Sequence, residues 1–283
     1  MHSVKKYRLL VVTVVYRPNL AMLEDFVASY HRYNDMPDDT RLVVVDNSPR
    51  DDWDWKSFAQ RHSEITYVAN QDNIGFGAAN NVGFRCHKSD YVLFVNNDVE
   101  FTEPVFGDVI SLHEASPTVG CIGIRQTGGH PSYFRNLVAP ADMDDRVFDE
   151  RYHFISGAFM MLKSPVFEQI GLFDERIFLY HEEFDLSQRL LRTGYHTMYV
   201  PDKTFLHKHQ STRKINVRTH QIGADSFIYV CDKYHLDAGA HSRYYFQRLK
   251  KVFVYNLITL RWTQCVNVVR VWRYRSSRLR GQT

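Results

Sequence analysis

An α/β fold with a doubly wound, mostly parallel sheet and helices on both faces is predicted by two features of this 283-residue chain. Strand-like and helix-like segments alternate from residue 9 to residue 125, the order typical of such a sheet. The strand-like runs are rich in Val, Leu and Ile and nearly free of polar residues, as expected for strands covered on both faces. We therefore expect right-handed crossovers and a ligand site at the carboxyl ends of the strands.

The elements of the first half follow from unbroken apolar runs and from the amphipathic segments between them. The predicted strands are Leu9–Tyr16, Arg41–Asp46, Ile65–Ala69, Tyr91–Val95 and Val119–Arg125. The predicted helices are Leu20–Tyr33, Asp51–Arg61, Gly77–His87 and Pro104–Ala115.

From about Arg151 the pattern changes. The elements predicted there are a strand over His153–Leu162, helices over Ser164–Ile170 and Glu182–Thr193, and a strand over His196–Pro201. Gly194 takes a C-cap position and ends the second of these helices. After Asn216 the chain is predicted to be helical to its end.

Bulk composition excludes several classes of protein. The chain is 44% apolar and 24% charged, which allows a large core without disulfide bonds. Its four cysteines are widely spaced with no CxxC pair, which argues against a zinc ribbon or a thioredoxin-type site. Lys5, Lys6 and Arg8 precede the apolar run Leu9–Val15 as in a signal peptide, but the run is short and no cleavage site follows, so it is interpreted as a strand. No run reaches the ~18–20 apolar residues of a transmembrane helix, and we expect a cytoplasmic protein.

The charge is unevenly distributed. From Ala238 onward there are ten Lys and Arg residues and no Asp or Glu. The net charge of +3 is therefore the sum of −7 on the residues before Ala238 and +10 on a strongly basic tail. Within that tail, Phe246, Leu249 and Phe253 recur at helical spacing between the cations, and Trp262 and Trp272 continue the pattern. A basic amphipathic helix with aromatic residues indicates binding to a membrane surface. The alternative is a helix packed on the rest of the chain or on a second subunit.

Polar, turn-forming groups follow four successive strands of the predicted sheet. These groups are Tyr16-Arg17-Pro18, Asp46-Asn47-Ser48, Asn70 with the loop to Gly75, and Asn96-Asn97-Asp98. Each could be a simple turn, since Asn, Asp and Gly are common in turns. Together they indicate a ligand site on one rim of the sheet.

Two further groups of residues are candidates for metal binding. Asp98 stands at a strand tip, where a carboxylate suits Mg²⁺ or Mn²⁺, although a turn-forming Asp is an equal alternative. His207 and His209 lie two positions apart and would share one face of an extended segment, or would be ordinary surface histidines.

Glu182, Glu183 and Asp185 cluster at the start of a predicted helix. They could simply stabilise the helix dipole. Three carboxylates so close together also repel one another, and the raised pKa that follows is what a general base needs near neutral pH. The Gly75-x-Gly77 pair is only a weak dinucleotide-binding signal, because Asn80 stands where the third glycine would be.

Taken in order, these segments resemble family 2 glycosyltransferases with the GT-A fold. The matching stretches are "VTVVYRPNL", "VVVDNS", "NIGFGAANNVGF", "FVNNDV", "SGAFMMLKSPVFEQIGLFDERIFLYHEEFDLSQRLLRTGY" and "VPDKTFLHKHQST". The resemblance covers about Leu9 to Thr212 and is greatest to bacterial rhamnosyltransferases that build cell-surface polysaccharides such as O-antigen. It implies a glycosyltransferase domain over residues 1–212, with a nucleotide-binding half (1–125) and an acceptor and catalytic half (126–212). Residues 213–283 would form the helical basic region.

The resemblance also implies a role for individual residues. Asp98 stands at the metal-binding position, where Asn96 replaces the usual first Asp, and His207 would contact the metal or the diphosphate. Glu183 would be the catalytic base, beside Glu182 and with Asp185 in reserve. The residues implied to bind the nucleotide sugar are Tyr16, Arg17, Asp46, Asn73, Gly75, Asn80, Asn96, Asn97 and Gly157.

The implied reaction is an inverting transfer of a sugar, best matched by L-rhamnose from dTDP-rhamnose, to a hydroxyl of a lipid-linked or cell-surface glycan. Mg²⁺ or Mn²⁺ would be the cofactor. The basic helices would hold the enzyme on the inner face of the plasma membrane, and a homo-oligomer is left open.

Three alternatives stay open: a UDP-hexose transferase, a sugar nucleotidyltransferase and a non-catalytic glycan-binding scaffold. The second lacks its expected Gly-rich loop after the first strand, since "VVYRPNL" has no glycine. Nucleic-acid binding is not expected, because no recognised motif accompanies the basic tail.

Overall fold

A computed structural model describes residues 5–49, 54–129, 131–140, 143–208 and 216–280. The chain divides into two compact units, one formed by Met1–Glu175 and Glu182–His209 and the other by Arg176–His181 and Gln210–Thr283. The strands are β1 (Tyr7–Val15), β2 (Thr40–Asp46), β3 (Thr66–Ala69), β4 (Ser89–Val95), β5 (Val99–Phe101), β6 (Val119–Thr127), β7 (Tyr133–Arg135), β8 (His153–Ile155), β9 (Phe159–Lys163) and β10 (His196–His207). The helices are α1 (Leu20–Tyr33), α2 (Trp55–Arg61), α3 (Phe76–Arg85), α4 (Phe106–Ala115), α5 (Ser164–Gln169), α6 (Glu182–Arg192), α7 (Val217–Tyr234), α8 (Ala238–Ile258) and α9 (Trp262–Arg280).

The first unit is built on an eight-stranded sheet in the order β3-β2-β1-β4-β9-β6-β10-β5. Strands β1 to β4 pair in parallel, as do β6 and β10, while β9 and β5 run antiparallel to their neighbours. A second sheet consists of β7 and β8. The predicted doubly wound, mostly parallel α/β sheet is therefore confirmed.

Alternation along β1 explains why this sheet has two covered faces. Leu9 and Val11 belong to one apolar cluster, with Phe26 of α1. Leu10 and Val12 belong to another, with residues of α3 and α5. All four β1 side chains are fully buried, so a strand without polar interruptions is what this position requires.

Several predicted boundaries are wrong. The single strand predicted over His153–Leu162 is two strands, β8 and β9, separated at Ser156-Gly157-Ala158. The strand predicted to end at Pro201 continues to His207, because an irregularity between Val200 and Thr204 accommodates Pro201, Asp202 and Lys203 without ending the pairing with β6. Helix α2 begins at Trp55 behind an Asp54 N-cap, and the first residues predicted for it, 51–53, lie outside the described residues.

The second unit contains α7, α8 and α9, as the helical pattern after Asn216 predicted. Arg275 is buried there, with its guanidinium 4.2 Å from the ring centre of Phe227 and 4.1 Å from that of Tyr245. Within the described residues, none of the helices combines the length and the apolar character needed to cross a bilayer.

Helix α3 packs very closely on the sheet at Gly83. A methyl group added there would lie 2.4 Å from Val12 Cγ1 and 2.9 Å from Val45 Cγ2. We expect Gly83→Ala to lower the free energy of unfolding, because overpacking costs about 1–3 kcal/mol. The higher helix propensity of alanine offsets only about 1 kcal/mol of that cost. Denaturant unfolding measures the loss. The double variant with Val12→Ala should lose less than the two single losses together, and strict additivity would contradict the contact.

Candidate active site

The ends of β2 and β3 are joined to the start of α3 by a network of amide side chains centred on Asn47. The Asn47 side chain donates to Asn73 Oδ1 at 3.3 Å and to the Gly75 carbonyl at 3.0 Å. Asn70 donates to Asn47 Oδ1 at 2.9 Å. Asn73 in turn accepts from the Gly75 N–H at 3.0 Å, and Gly75 has a φ of +94°, which favours glycine. Side-chain hydrogen bonds therefore hold this rim of the sheet together, and Asn47, which the sequence placed at the rim without a role of its own, is their central residue.

Asp46 lies at the same rim with its carboxylate already engaged by the protein. Its Oδ1 accepts from the Ser48 N–H at 2.8 Å, and its Oδ2 accepts from the Tyr67 hydroxyl. Burial, and then the bond to Asp46, raise the pKa of Tyr67. The Tyr67 ring stacks on Trp55 with centroids 5.2 Å apart and planes 5° apart. A flat aromatic pair thus stands beside the carboxylate, which the sequence did not reveal.

Tyr16, Arg17 and Asn80, which are also predicted to bind the donor, follow β1 or lie within α3. The Arg17 N–H donates to Ser48 Oγ at 2.8 Å, and the Arg17 guanidinium lies 5.5 Å from the ring centre of Tyr16, which is 48% exposed. Asn80 is buried inside α3, where its side chain donates to the Phe76 carbonyl at 3.1 Å. Its neighbour Asn81, not predicted, holds the Phe173 backbone through two hydrogen bonds of 2.9 and 3.0 Å.

Asp98 and His207, the two predicted metal ligands, are brought together by the β5–β10 pairing. Val99 of β5 stands opposite His207 of β10, and Asp98 Oδ1 lies 2.9 Å from His207 Nε2. The Lys208 N–H donates to the Asp98 carbonyl at 2.9 Å. His209 lies outside the described residues.

Gln126 of β6 sets the orientation of the His207 ring. Its Oε1 lies 3.1 Å from His207 Nδ1, where this amide oxygen can accept a hydrogen bond from the Nδ1–H of the ring. The Nε2 atom then faces Asp98. Metal-binding histidines commonly donate their other ring N–H in this way. The donor set of one imidazole and one carboxylate is therefore compatible with a divalent cation.

Gly157 connects the predicted base to the tip of β4. The Gly157 N–H donates to Glu183 Oε1 at 3.1 Å. The carbonyl of the following residue, Ala158, accepts from the Asn96 N–H at 3.4 Å. A methyl group on Gly157 would lie 2.6 Å from Glu183 Oε1. The break between β8 and β9 thus provides a backbone link between the carboxylate of α6 and the Asn96-Asn97-Asp98 turn.

The two glutamates at the start of α6 have raised pKa values. Burial raises the pKa of Glu182 well above its ordinary value, and the charge of Glu183 adds to the effect. Burial also raises the pKa of Glu183, against the opposing hydrogen bond from Gly157. Among the described residues, Glu182 Oε2 has no hydrogen-bond partner. The pair therefore favours one negative charge over two.

Asp185, the reserve base, is fully buried and bound to Arg189 of the same helix. The Arg189 Nε–H donates to Asp185 Oδ2 at 2.9 Å. This is the geometry of a structural ion pair one helical turn apart.

A model for glycosyl transferase family 2 matches residues 10–171, more than half of the chain. The chain is 26% identical over 233 residues to the N-acetylglucosaminyl-diphospho-decaprenol L-rhamnosyltransferase of Mycobacterium tuberculosis, covering 70% of this chain and 75% of that protein. It is 22% identical over 215 residues to the O-antigen chain rhamnosyltransferase WbaN of Salmonella anatum, covering 71% and 66% respectively.

Among solved structures, the mannosyltransferase PcManGT from Pyrobaculum calidifontis, in complex with GDP-Man and Mn²⁺, matches with a TM-score of 0.60 at 14% identity. That match covers 97% of this chain and 87% of the other. It supports the GT-A type of α/β fold. The chain belongs to glycosyl transferase family 2, and its relatives include rhamnosyltransferases.

Proposed function

We propose that this glycosyltransferase transfers L-rhamnose from the donor dTDP-rhamnose to a hydroxyl of a lipid-linked or cell-surface glycan. The configuration of the anomeric carbon is inverted in the transfer. The observation that carries the proposal is the link from Glu183 through Gly157 and Ala158 to the turn that ends in Asp98. A base and a metal ligand on one rim are what such a transfer needs. The rhamnosyltransferase names of two relatives support the choice of sugar.

The donor nucleotide is proposed to lie along the ends of β1, β2 and β3. Asp46 and the Tyr16-Arg17 turn would line the base pocket, with the stacked Trp55 and Tyr67 rings behind them. The pre-formed amide network around Asn47 would hold the Asn73-Gly75 loop against the nucleotide and its phosphates. A site fixed by such bonds before binding loses little entropy when the donor arrives.

A divalent cation is proposed to be held by Asp98 and His207, with Asn96 and Asn97 near it. The mixed oxygen and nitrogen donors favour a borderline ion such as Mn²⁺ over Mg²⁺, which prefers oxygen alone. When bound, the cation supplies neutralisation of the charge that develops on the leaving diphosphate.

Glu183 is proposed as the general base that removes the proton from the acceptor hydroxyl. The oxygen of that hydroxyl attacks the anomeric carbon while the bond to the diphosphate breaks, so a single displacement inverts the configuration. Glu183 suits this role because it is held by the Gly157 N–H and has a raised pKa. The ion pair with Arg189 leaves Asp185 a structural role instead.

A panel of nucleotide sugars tests the proposal. The purified protein is titrated calorimetrically with dTDP-rhamnose, UDP-glucose, UDP-N-acetylglucosamine and GDP-mannose, each with Mn²⁺, with Mg²⁺ and with EDTA. Binding of dTDP-rhamnose that is strengthened by the cation is expected. Preference for a UDP-hexose would overturn the choice of sugar, and no binding of any donor would favour the scaffold alternative.

The region of α8 and α9 is proposed to bind an anionic membrane surface. Among the described side chains there, ten large apolar ones are exposed: Val252, Val254, Tyr255, Leu257, Ile258, Leu260, Trp262, Val266, Val269 and Trp272. Between the two helices lies a groove of about 330 Å³ lined by the apolar residues Phe253, Val268, Val269 and Trp272 and by the cations Lys250 and Arg273. Apolar surface of this extent beside cations is typical of an interfacial helix.

Binding to vesicles tests this surface. The triple variant Lys250→Gln, Lys251→Gln and Arg273→Gln should bind phosphatidylglycerol vesicles roughly 100-fold more weakly, because each cation contributes about 1 kcal/mol. Co-sedimentation measures the change. The matched control neutralises Lys56, Lys88 and Arg146, which are exposed on the other unit. Equal weakening by both triple variants, or a concentration-dependent dimer in place of vesicle binding, would contradict the proposal.

A further inference from the structure

A second cluster of metal-binding side chains lies away from the candidate active site, where α1 meets the connection between α2 and β3. Its members are His31 of α1, His62 at the C-cap of α2, and Glu64. The ligand atoms of all three lie within 4.8 Å of one another. His31 Nε2 is 3.0 Å and His62 Nδ1 is 3.7 Å from the same atom, Glu64 Oε1.

These separations are close to those that zinc requires. Zinc binds histidine nitrogen and carboxylate oxygen at about 2.0–2.2 Å in a tetrahedron, which places neighbouring ligand atoms about 3.4 Å apart. The two separations from Glu64 Oε1 lie on either side of that value, and all pairs of ligand atoms lie within 4.8 Å. Two imidazole nitrogens directed at one carboxylate oxygen form a donor set suited to Zn²⁺ and poorly suited to Mg²⁺ or Ca²⁺.

Glu24 provides the feature that distinguishes this cluster from an ordinary surface ion pair. It contacts the far nitrogen of His62, with Oε2 2.7 Å from Nε2. A carboxylate only accepts, so Nε2 carries the hydrogen and Nδ1 is left to face Glu64. Arg61 holds the other Glu24 oxygen at 2.6 Å. A carboxylate behind a metal-binding histidine is a common arrangement in zinc sites, where it fixes the ring and its tautomer.

We propose that His31, His62 and Glu64 bind one Zn²⁺ ion, oriented by Glu24, with solvent in the fourth position. The ion would link α1 to the segment between α2 and β3. Tyr67, three residues after Glu64, bonds Asp46 at the rim described above. The site would therefore stabilise the connection between α2 and β3, the two elements that carry the stacked rings of Trp55 and Tyr67.

Calorimetric titration with ZnCl₂ tests the proposal, using full-length protein freed of metal by a chelator. The Asp98→Asn background removes the other candidate cation site, so one equivalent of Zn²⁺ is expected there. Adding His31→Ala should abolish that equivalent, and adding Glu24→Gln should weaken it about 10- to 100-fold. Circular dichroism confirms that each variant is folded.

His196→Ala is the matched control, because His196 contacts a carboxylate, Glu150, at 2.7 Å and belongs to no cluster of three metal-binding groups among the described residues. Added to the same Asp98→Asn background, it should leave zinc binding unchanged. Should Asp98→Asn fold poorly, Co²⁺ added to the wild-type protein replaces the titration, and a tetrahedral visible spectrum lost in His31→Ala is expected. Zinc binding that is absent, or that His31→Ala leaves intact, would overturn the proposal.

Discussion

Replacing Glu183 with Gln is expected to lower the rate of sugar transfer strongly while leaving donor binding unchanged. A general base contributes about 10²- to 10⁴-fold to a rate, and glutamine keeps the shape of the side chain but cannot take a proton. Its amide oxygen can still accept from the Gly157 N–H, the bond that holds Glu183 at 3.1 Å. Turnover of the preferred donor and acceptor, together with calorimetric donor binding, measures the two effects separately.

Two other variants distinguish the role of Glu183 from that of its neighbours. Gly157→Ala would place a methyl group 2.6 Å from Glu183 Oε1, and a displacement of about 1 Å at the base can cost about 100-fold in rate. Asp185→Asn breaks the buried pair with Arg189 and should instead cost about 3–5 kcal/mol of stability. A folded, inactive Asp185→Asn protein beside an active Glu183→Gln protein would reverse the assignment.

The same carboxylate predicts the direction of a pH dependence. Glu183 must be ionised to act as a base, and burial raises its pKa above the ordinary value of 4.5. The acid limb of turnover should therefore fall at a higher pH than for an exposed glutamate, and it should disappear in Glu183→Gln. Stability changes in the opposite direction: the folded protein holds these protons more tightly, so the pair favours folding most at low pH and loses that contribution as pH rises through the raised pKa values.

The strands and helices of the first unit could be predicted where one local pattern determines them. Helix α1 has the predicted bounds, Leu20–Tyr33, because its apolar face and its Asn19 cap are both local. The break at Ser156-Gly157-Ala158 could not be predicted in the same way. Those small residues continue an apolar run, and only the partner strands show that β8 and β9 belong to different sheets.

The site follows the same division. Asp98, His207 and Glu183 could be selected because titratable residues stand out beside apolar runs and match a family pattern. Gln126 could not, because its contact with His207 spans 81 residues and depends on the register of β6 against β10. Trp55 and Tyr67 could not be selected either, because an aromatic residue in a helix or strand ordinarily indicates a core position. The residues that orient a functional group are thus set by pairing, which a single sequence does not display.

Replacing Asp98 with Asn is expected to remove the effect of the divalent cation on donor binding. In the wild-type protein, EDTA should weaken binding of the donor, because cation and diphosphate stabilise each other's binding by the same free energy. In Asp98→Asn that difference should vanish. Turnover should fall roughly 10²- to 10⁴-fold, since a cation contributes several kcal/mol and each 1.36 kcal/mol is tenfold in rate. Calorimetry with and without EDTA measures the first effect.

Gln126→Leu tests the same site through the His207 ring. Leucine fills similar volume but removes the oxygen that accepts from Nδ1–H at 3.1 Å, and loss of such a partner costs about 10- to 100-fold in metal affinity. Asp25→Asn is the matched control, because Asp25 binds Lys208, next to His207, at 2.8 Å while half exposed. Its loss removes only a surface ion pair, worth about 0–1 kcal/mol. If Asp25→Asn weakens Mn²⁺ binding as much as Asp98→Asn, general negative charge rather than a defined ligand attracts the cation. If only Asp98→Asn and Gln126→Leu weaken it, the cation is held by Asp98 and the oriented His207 ring.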